Sequence, residues 1–271
     1  LFNCKTIKKL AKILWGLLLV IISLPAIAYF IIQSNRVQTV ITRNIISDIS
    51  KKTGSDFHIG SVDVSFFRHL LMNDVCVYDK ANDTLIQADM IKATIKKINT
   101  KSNLITLKSI ELDGFTANIK YFDKNENNYQ FLFDSLSGTD TSKAAWSFRT
   151  LAIKISDASV AYANDYTNIP SPGRMNYNYL TLNELDLDVS DINLNESIKQ
   201  FQINHLTFNE VSGFDVSEMQ VSVHISNDSA LITDLGFITP DSRIMIEKIN
   251  LYYDSLRQVM DNTEKLLVDD S

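Results

Sequence analysis

Two cysteines, Cys4 and Cys76, are too few for a disulfide framework or a zinc site. Eight glycines and four prolines in 271 residues exclude collagen-like and linker-like chains and leave little for a Gly-rich phosphate loop. The sequence contains no G-x-S-x-G elbow, Walker loop, dinucleotide fingerprint or Cys–His pattern. Its four histidines, His58, His69, His205 and His224, lie in strand-like stretches without HExxH or His-x-x-x-His spacing, so metal ligands do not converge. No catalytic residues, cofactor or metal are therefore expected. Asp63, Asp186 and Asp188 alternate with apolar residues, as the polar face of a sheet does; a hydrolase whose acid pair meets across strands is the weaker alternative.

What is present is apolar and unevenly charged. With 45% hydrophobic and 21% charged residues, the chain is neither a disordered tail nor a polytopic membrane protein. The first 36 residues carry five positive charges and no negative one, so a chain of net charge −6 leaves −11 for residues 37–271. An acidic body argues against nucleic acid, and Lys92, Lys96, Lys97 and Lys101 read as a solvated strand face.

Residues 10–32, LAKILWGLLLVIISLPAIAYFII, are long enough at about 1.5 Å per residue to cross a hydrocarbon core of about 30 Å. Trp15 and Tyr29 fall toward the two interfaces, and Lys8, Lys9 and Lys12 place the N-terminus on the cytoplasmic side. The expectation is a single-pass inner-membrane anchor with a periplasmic body. The small-x-small triplet Ala26-Ile27-Ala28 admits a cleaved signal peptide, but hydrophobicity continues through Ile32. Val37, Val40, Ile41, Ile45 and Ile49 then lie on one helical face, with Gly54 as its stop. This exit helix caps the β-structure that follows or lies on the outer leaflet.

From Phe57 the apolar period is two, through Ile59, Val62 and Val64, then Val75 and Val77, then Ile86, Ala88 and Met90. Strand signals continue over 104–121, 148–163, 180–194, 201–211, 216–225, 230–238 and 243–253, with no helical segment of comparable strength between them. This excludes a parallel βαβ architecture and its active sites. A degenerate unit recurs at 110, 151 and 185. Ile110-x-Leu112 passes through Asp113-Gly114 into Phe115-x-Ala117-x-Ile119; Leu151-x-Ile153-x-Ile155 passes through Ser156-Asp157; Leu185-x-Leu187-x-Val189 passes through Ser190-Asp191. At each punctuation point the alternation slips by one residue, which marks a β-bulge or a tight turn; the missing Asn-Gly signature favours the bulge.

The stretches Phe66-Phe67, Leu71-Met-Asn-Asp74-Val75-Cys-Val77-Tyr-Asp79 and Asp83-Thr-Leu85-Ile-Gln-Ala88, following an anchor and an exit helix, resemble the start of TamB and AsmA-like bacterial envelope proteins, in particular the Bacteroidota-type TamB chains. Ile110-Glu-Leu112-Asp-Gly-Phe115 and Asn128-Tyr-Gln-Phe131-Leu-Phe133-Asp134 share that resemblance, which covers about residues 10–134 and thereafter only the general repeat. The resemblance implies a long β-groove hanging from the inner membrane, whose partners are phospholipid acyl chains and, through a C-terminal region this chain lacks, an outer-membrane barrel protein. The chain begins on Leu and reads as a piece of a longer one.

The expected fold is thus mainly β: an anchor and a short amphipathic helix, then an elongated, groove-like antiparallel array. Its parts are a basic end (1–9), the anchor (10–32), the exit helix (33–54), a first β segment (55–134), a loop (135–147), continuing repeats (148–253) and a final stretch (254–271) that reads as incomplete. Ile110, Leu112, Phe115, Ile119, Leu151, Ile153, Ile155, Leu185, Leu187 and Val189 are the candidate groove residues. The same residues fit the core of a closed sandwich, and a membrane-tethered sandwich binding protein or glycan through Tyr166, Tyr177 and Tyr179 is the alternative function.

Overall fold

The computed structural model describes residues 46–47, 50–65, 68–123, 126–136, 147–165, 176–195 and 198–253. Among these residues no helix is long and apolar enough to cross a membrane. The anchor at 10–32 with Lys8, Lys9, Lys12, Trp15 and Tyr29, the Phe66-Phe67 pair, Tyr166 and the final stretch from residue 254 lie outside the described residues. Residues 50–53 are helical, and Gly54 closes that turn in the left-handed region (φ 66°), its amide donating to the Ser50 carbonyl at 2.9 Å.

The remainder is one mixed sheet of thirteen strands. They are β1 (Phe57–Ser65), β2 (His69–Tyr78), β3 (Thr84–Asn99), β4 (Leu104–Asp113), β5 (Thr116–Asp123), β6 (Glu126–Asn127), β7 (Ser147–Thr150), β8 (Ile153–Asn164), β9 (Tyr179–Leu194), β10 (Lys199–Glu210), β11 (Asp215–Ile225), β12 (Ser229–Ile238) and β13 (Arg243–Tyr252). The main path runs β1-β2-β3-β4-β8-β9-β10-β11-β12-β13, with β5 beside β3 and β8, and β7 beside β4. β4 and β5 are two halves of one line broken at Gly114, just as β7 and β8 are broken at residues 151–152; the two lines lie side by side.

Those two lines run parallel, which corrects the expectation of a purely antiparallel array. The segment between them has to return from the end of β5 to the start of β7, a crossover that only a connection of a dozen or more residues permits. That connection contains a second departure from expectation, the helix α1 (Gln130–Leu136), where the first β segment (55–134) is expected to run into a loop (135–147). Asn127 starts it: its Oδ1 accepts the amides of Tyr129 at 3.1 Å and Gln130 at 2.6 Å, an N-cap arrangement. The buried Asn128 then ties β5 to the β2–β3 turn. It accepts the Lys120 amide, donates to the Asn118 carbonyl at 2.8 Å and reaches Asp79 Oδ2 at 3.5 Å.

Two of the three punctuation points prove to be bulges inside strands, and the third, at Gly114, is a break between β4 and β5 across which the register is kept. Gly114 (φ 57°), Asp157 (φ 51°) and Asp191 (φ 53°) occupy the left-handed region, and the ladder slips at Asp157 and Asp191. Asp74, Glu184 and Asp234 share that backbone region in β2, β9 and β12. Gly114 is required twice over, because a Cβ there would also collide with the Asp89 carboxylate. The bulges keep apolar residues on one side. Ile155 faces Leu187 and Ala158 faces Leu185; since Leu185 and Leu187 are two apart in an extended stretch, Ile155 and Ala158 share a face although three apart.

Burial is deepest around this line of bulges, at Val75, Val77, Ala88, Ala117, Ala158 and Leu185, and the largest fully buried side chain is Leu85. Every substantial contact between described elements joins neighbours in the sheet. β1 pairs only with β2 and β13 only with β12, so the two outer edges of the main path do not meet.

Candidate functional site

Following the strand register across the sheet gives an unbroken apolar row, Val62–Met72–Ile91–Leu112–Ile155–Leu187–Leu206–Met219–Phe237–Ile244, with one residue from each of the ten strands on the main path. A second row lies two residues away: Val64–Leu70–Ala93–Ile110–Ile153–Val189–Ile203–Val221. Strand neighbours are about 4.8 Å apart, so nine steps carry the first row about 43 Å. One leaflet of hydrocarbon is about 15 Å deep, half of a bilayer core. Neither row contains a charged residue.

Register alone decides this continuity. On the opposite face the same ladders read Lys92–Glu111–Lys154–Asp188, alternating in sign, with Lys92 Nζ 2.9 Å from Glu111 Oε2. The sheet is therefore two-faced: one side presents charged and amide groups to water, the other presents nothing polar along its rows.

The apolar side is unevenly covered. Most of its residues, including Met72, Ile91, Leu112, Ile155, Leu187, Leu206, Met219 and Phe237, are half-buried, while Ala158, Leu185 and Val221 on the same side are buried. Toward one end of the strands the same face becomes open at Ile98, which is 49% exposed, and Phe148, 69% exposed; both pair with Ile105. Near the other end Phe214 stacks on Phe237, with ring centroids 6.4 Å apart, and is itself exposed.

Six of the ten candidates read from the sequence are members of these rows. Ile110, Ile153 and Val189 are consecutive members of the second row; Leu112, Ile155 and Leu187 are consecutive members of the first. Leu185 is buried against Ala158, Ile119 pairs with Tyr162, and the Phe115 carbonyl accepts the Ser159 amide at 2.8 Å. Leu151 joins β7 to β8, its amide bonded to Leu107 and its carbonyl to Ile192. Sequence reasoning stopped at three units; it missed Val62, Met72 and Ile91 on one flank and Leu206, Met219 and Phe237 on the other. Their alternation was visible, but the pairing that lines them up is not a local property.

Of the acidic residues weighed for a hydrolase, Asp186 Oδ1 accepts the Asp157 amide at 2.9 Å and Asp188 Oδ1 accepts Asn204 Nδ2 at 3.0 Å, so these two carboxylates stabilise a bulge and a strand pair. A cavity of about 540 Å³ at the β2–β3 turn and α1 is lined by Asp79, Lys80, Asn128 and Phe131. There Asp79 Oδ1 holds the turn through the Ala81 and Asp83 amides, both at 2.9 Å, and Lys80 sits 5.5 Å over the Phe131 ring. Of the loop tyrosines, Tyr177 is 72% exposed, whereas Tyr179 is half-buried and donates to Asp165 Oδ1 at 3.0 Å.

One carboxyl group on the sheet is set apart by its surroundings. Glu210 is buried at the end of β10; burial pushes its pKa up, but hydrogen bonds from the Ser212 hydroxyl and amide and from the Thr181 and Val211 amides outweigh this and hold it below the ordinary glutamate value. It closes the β10–β11 turn and has no partner arranged for catalysis among those bonds. Compared with known proteins, the chain matches no family model and no curated sequence.

Proposed function

We propose that this chain is a noncatalytic, inner-membrane-anchored envelope protein whose sheet forms the membrane-proximal part of a hydrocarbon-carrying groove, in the manner of TamB and AsmA-like proteins, serving phospholipid transport to the outer membrane or its assembly. The observation that carries this reading is the uncharged ten-strand apolar row, whose side chains are for the most part only half-buried. Water penalises such a surface at about 25 cal/mol per Å², and a flexible acyl chain lying along the row removes that penalty without a fixed shape. Absence of charge in the rows suits a tail rather than a headgroup, and the half-burial of the side chains suits a surface that curves over its occupant. The bulges at Asp157 and Glu184 supply that curvature, because each bends its strand and increases its twist.

The test is lipid extraction from the purified chain followed by mass spectrometry. Phospholipid retained through detergent exchange, and lost when Ile155 and Leu187 are both replaced by Asp, is the expected result. A chain that carries no lipid, or one whose lipid is indifferent to the double replacement, contradicts the proposal.

A further inference from the structure

The strand end that carries Ile98 and Phe148 is also the most cationic part of the described body. No Asp or Glu occurs between Lys92 and Glu111, a stretch holding Lys96, Lys97, Lys101 and Lys108, and none occurs in β7, which holds Arg149. Lys96, Lys97, Lys101 and Arg149 are all exposed. The register sorts them: Lys97 and Arg149 both pair with Thr106 and so project from the polar face, while Ile98 and Phe148 both pair with Ile105 and project from the apolar face. Lys101 sits at the tip of the β3–β4 turn, which Asn99 Oδ1 shapes by accepting the Lys101 amide at 3.1 Å. The opposite strand ends are acidic, with Asp79, Asp83, Asp123, Glu126, Asp134 and Asp165.

From this we infer that the β3–β4–β7 rim docks on the surface of an anionic phospholipid bilayer, with Ile98 and Phe148 entering the headgroup layer and the lysines and Arg149 above the phosphates. A cationic rim with two exposed apolar side chains matches both components of such a surface, attraction to anionic headgroups and burial of apolar area at the acyl boundary. A nucleic acid would use the cations but leave Ile98 and Phe148 idle. The inference rests on the hydrocarbon-carrying reading of the apolar face and adds to it a place of entry: Ile98 and Phe148 lie on the same face as the rows, so a tail drawn from the bilayer passes onto them without crossing a charged layer.

The test uses the full chain held in phosphatidylcholine nanodiscs, so that its N-terminal segment is already accommodated, and measures flotation with vesicles of phosphatidylcholine alone or mixed with phosphatidylglycerol. Each cation brought to an anionic surface contributes roughly a fivefold gain in partitioning, so K96E/K97E/K101E/R149E is expected to lose at least about 100-fold. Ile98→Ser with Phe148→Ser is expected to weaken capture while leaving its salt dependence intact, and Lys154→Glu, exposed far from the rim on the polar face, is expected to change nothing. Equal capture by neutral and mixed vesicles, capture undiminished in the fourfold variant, or tighter binding to a single-stranded DNA oligonucleotide than to mixed vesicles overturns the inference. Lipid retained by the detergent-purified chain, extracted before it is placed in nanodiscs, separates the two readings. A wild-type chain that carries lipid but ignores mixed vesicles refutes the docking rim alone; one that docks through the rim but carries no lipid refutes the groove alone.

Discussion

Placing a carboxylate at Ile153 distinguishes an open apolar face from a sealed one. Ile153 stands between Ile110 and Val189 in the second row and is half-buried. Complete burial of an isoleucine side chain is worth about 1.5–3 kcal/mol, so removing a partly exposed one forfeits at most about 2 kcal/mol. An aspartate on a face that water reaches keeps its hydration and adds little. In a sealed interior the same carboxylate carries a further several kcal/mol of desolvation, enough to exhaust a marginal domain. Leu185→Asp is the internal comparison, because Leu185 is 8% exposed and faces Ala158 at 2%. Urea unfolding followed by circular dichroism should show Ile153→Asp folded with its midpoint lowered by about 1 M, for a slope of about 2 kcal/mol/M, and Leu185→Asp far more damaged. If Ile153→Asp unfolds the chain as thoroughly as Leu185→Asp, the face is closed and the reasoning fails.

Other consequences are testable on the same material. Gly114→Ala combines a left-handed backbone with a Cβ driven into the Asp89 carboxylate and should cost about 2–4 kcal/mol; Gly54→Ala, with φ 66° and open space around it, should cost about 1 kcal/mol, both read from denaturant midpoints. Because Glu210 is held below the ordinary glutamate pKa, its contribution to stability is complete above that ordinary value near pH 4.5 and is lost as pH falls through its own lower pKa. Glu210→Gln should therefore flatten the stability–pH curve below about pH 5, and an unchanged curve would contradict the bonding described. Lys92→Ala should cost less than about 1 kcal/mol and lose that effect in high salt, since both partners of the Glu111 pair are substantially exposed.

Much of the sheet was legible in the sequence because alternation is local. The strands from residue 104 onward were bounded within a few residues, and the phase slips at Ser156-Asp157 and Ser190-Asp191 sufficed to mark bulges, while the slip at Asp113-Gly114 marks a strand break. The left-handed residue Asp74 and the bulges at Glu184 and Asp234 went unread because a single acidic residue in a polar/apolar alternation does not announce a left-handed backbone. The parallel pairing of β4 with β8 was illegible for a different reason. Direction is set by the crossover through α1, and the helix itself is only seven residues long, begun by an Asn whose capping role looks like any other polar position in an Asn-rich chain. The candidate face was half legible: Ile110, Leu112, Ile153, Ile155, Leu187 and Val189 stand out within their own units, but the ten-strand row depends on registers between segments far apart in the chain.

The central claim is that residues on one side of these strands meet hydrocarbon and those on the other meet water, and Lys154 and Ile155 offer adjacent positions on opposite faces. Replacing each in turn by photoreactive benzoylphenylalanine, irradiating the chain in its native membranes and identifying adducts by mass spectrometry tests that claim directly. Lipid adducts at position 155 and none at 154 are predicted; adducts only to the chain's own residues at 155, or equal lipid labelling at both positions, would contradict it.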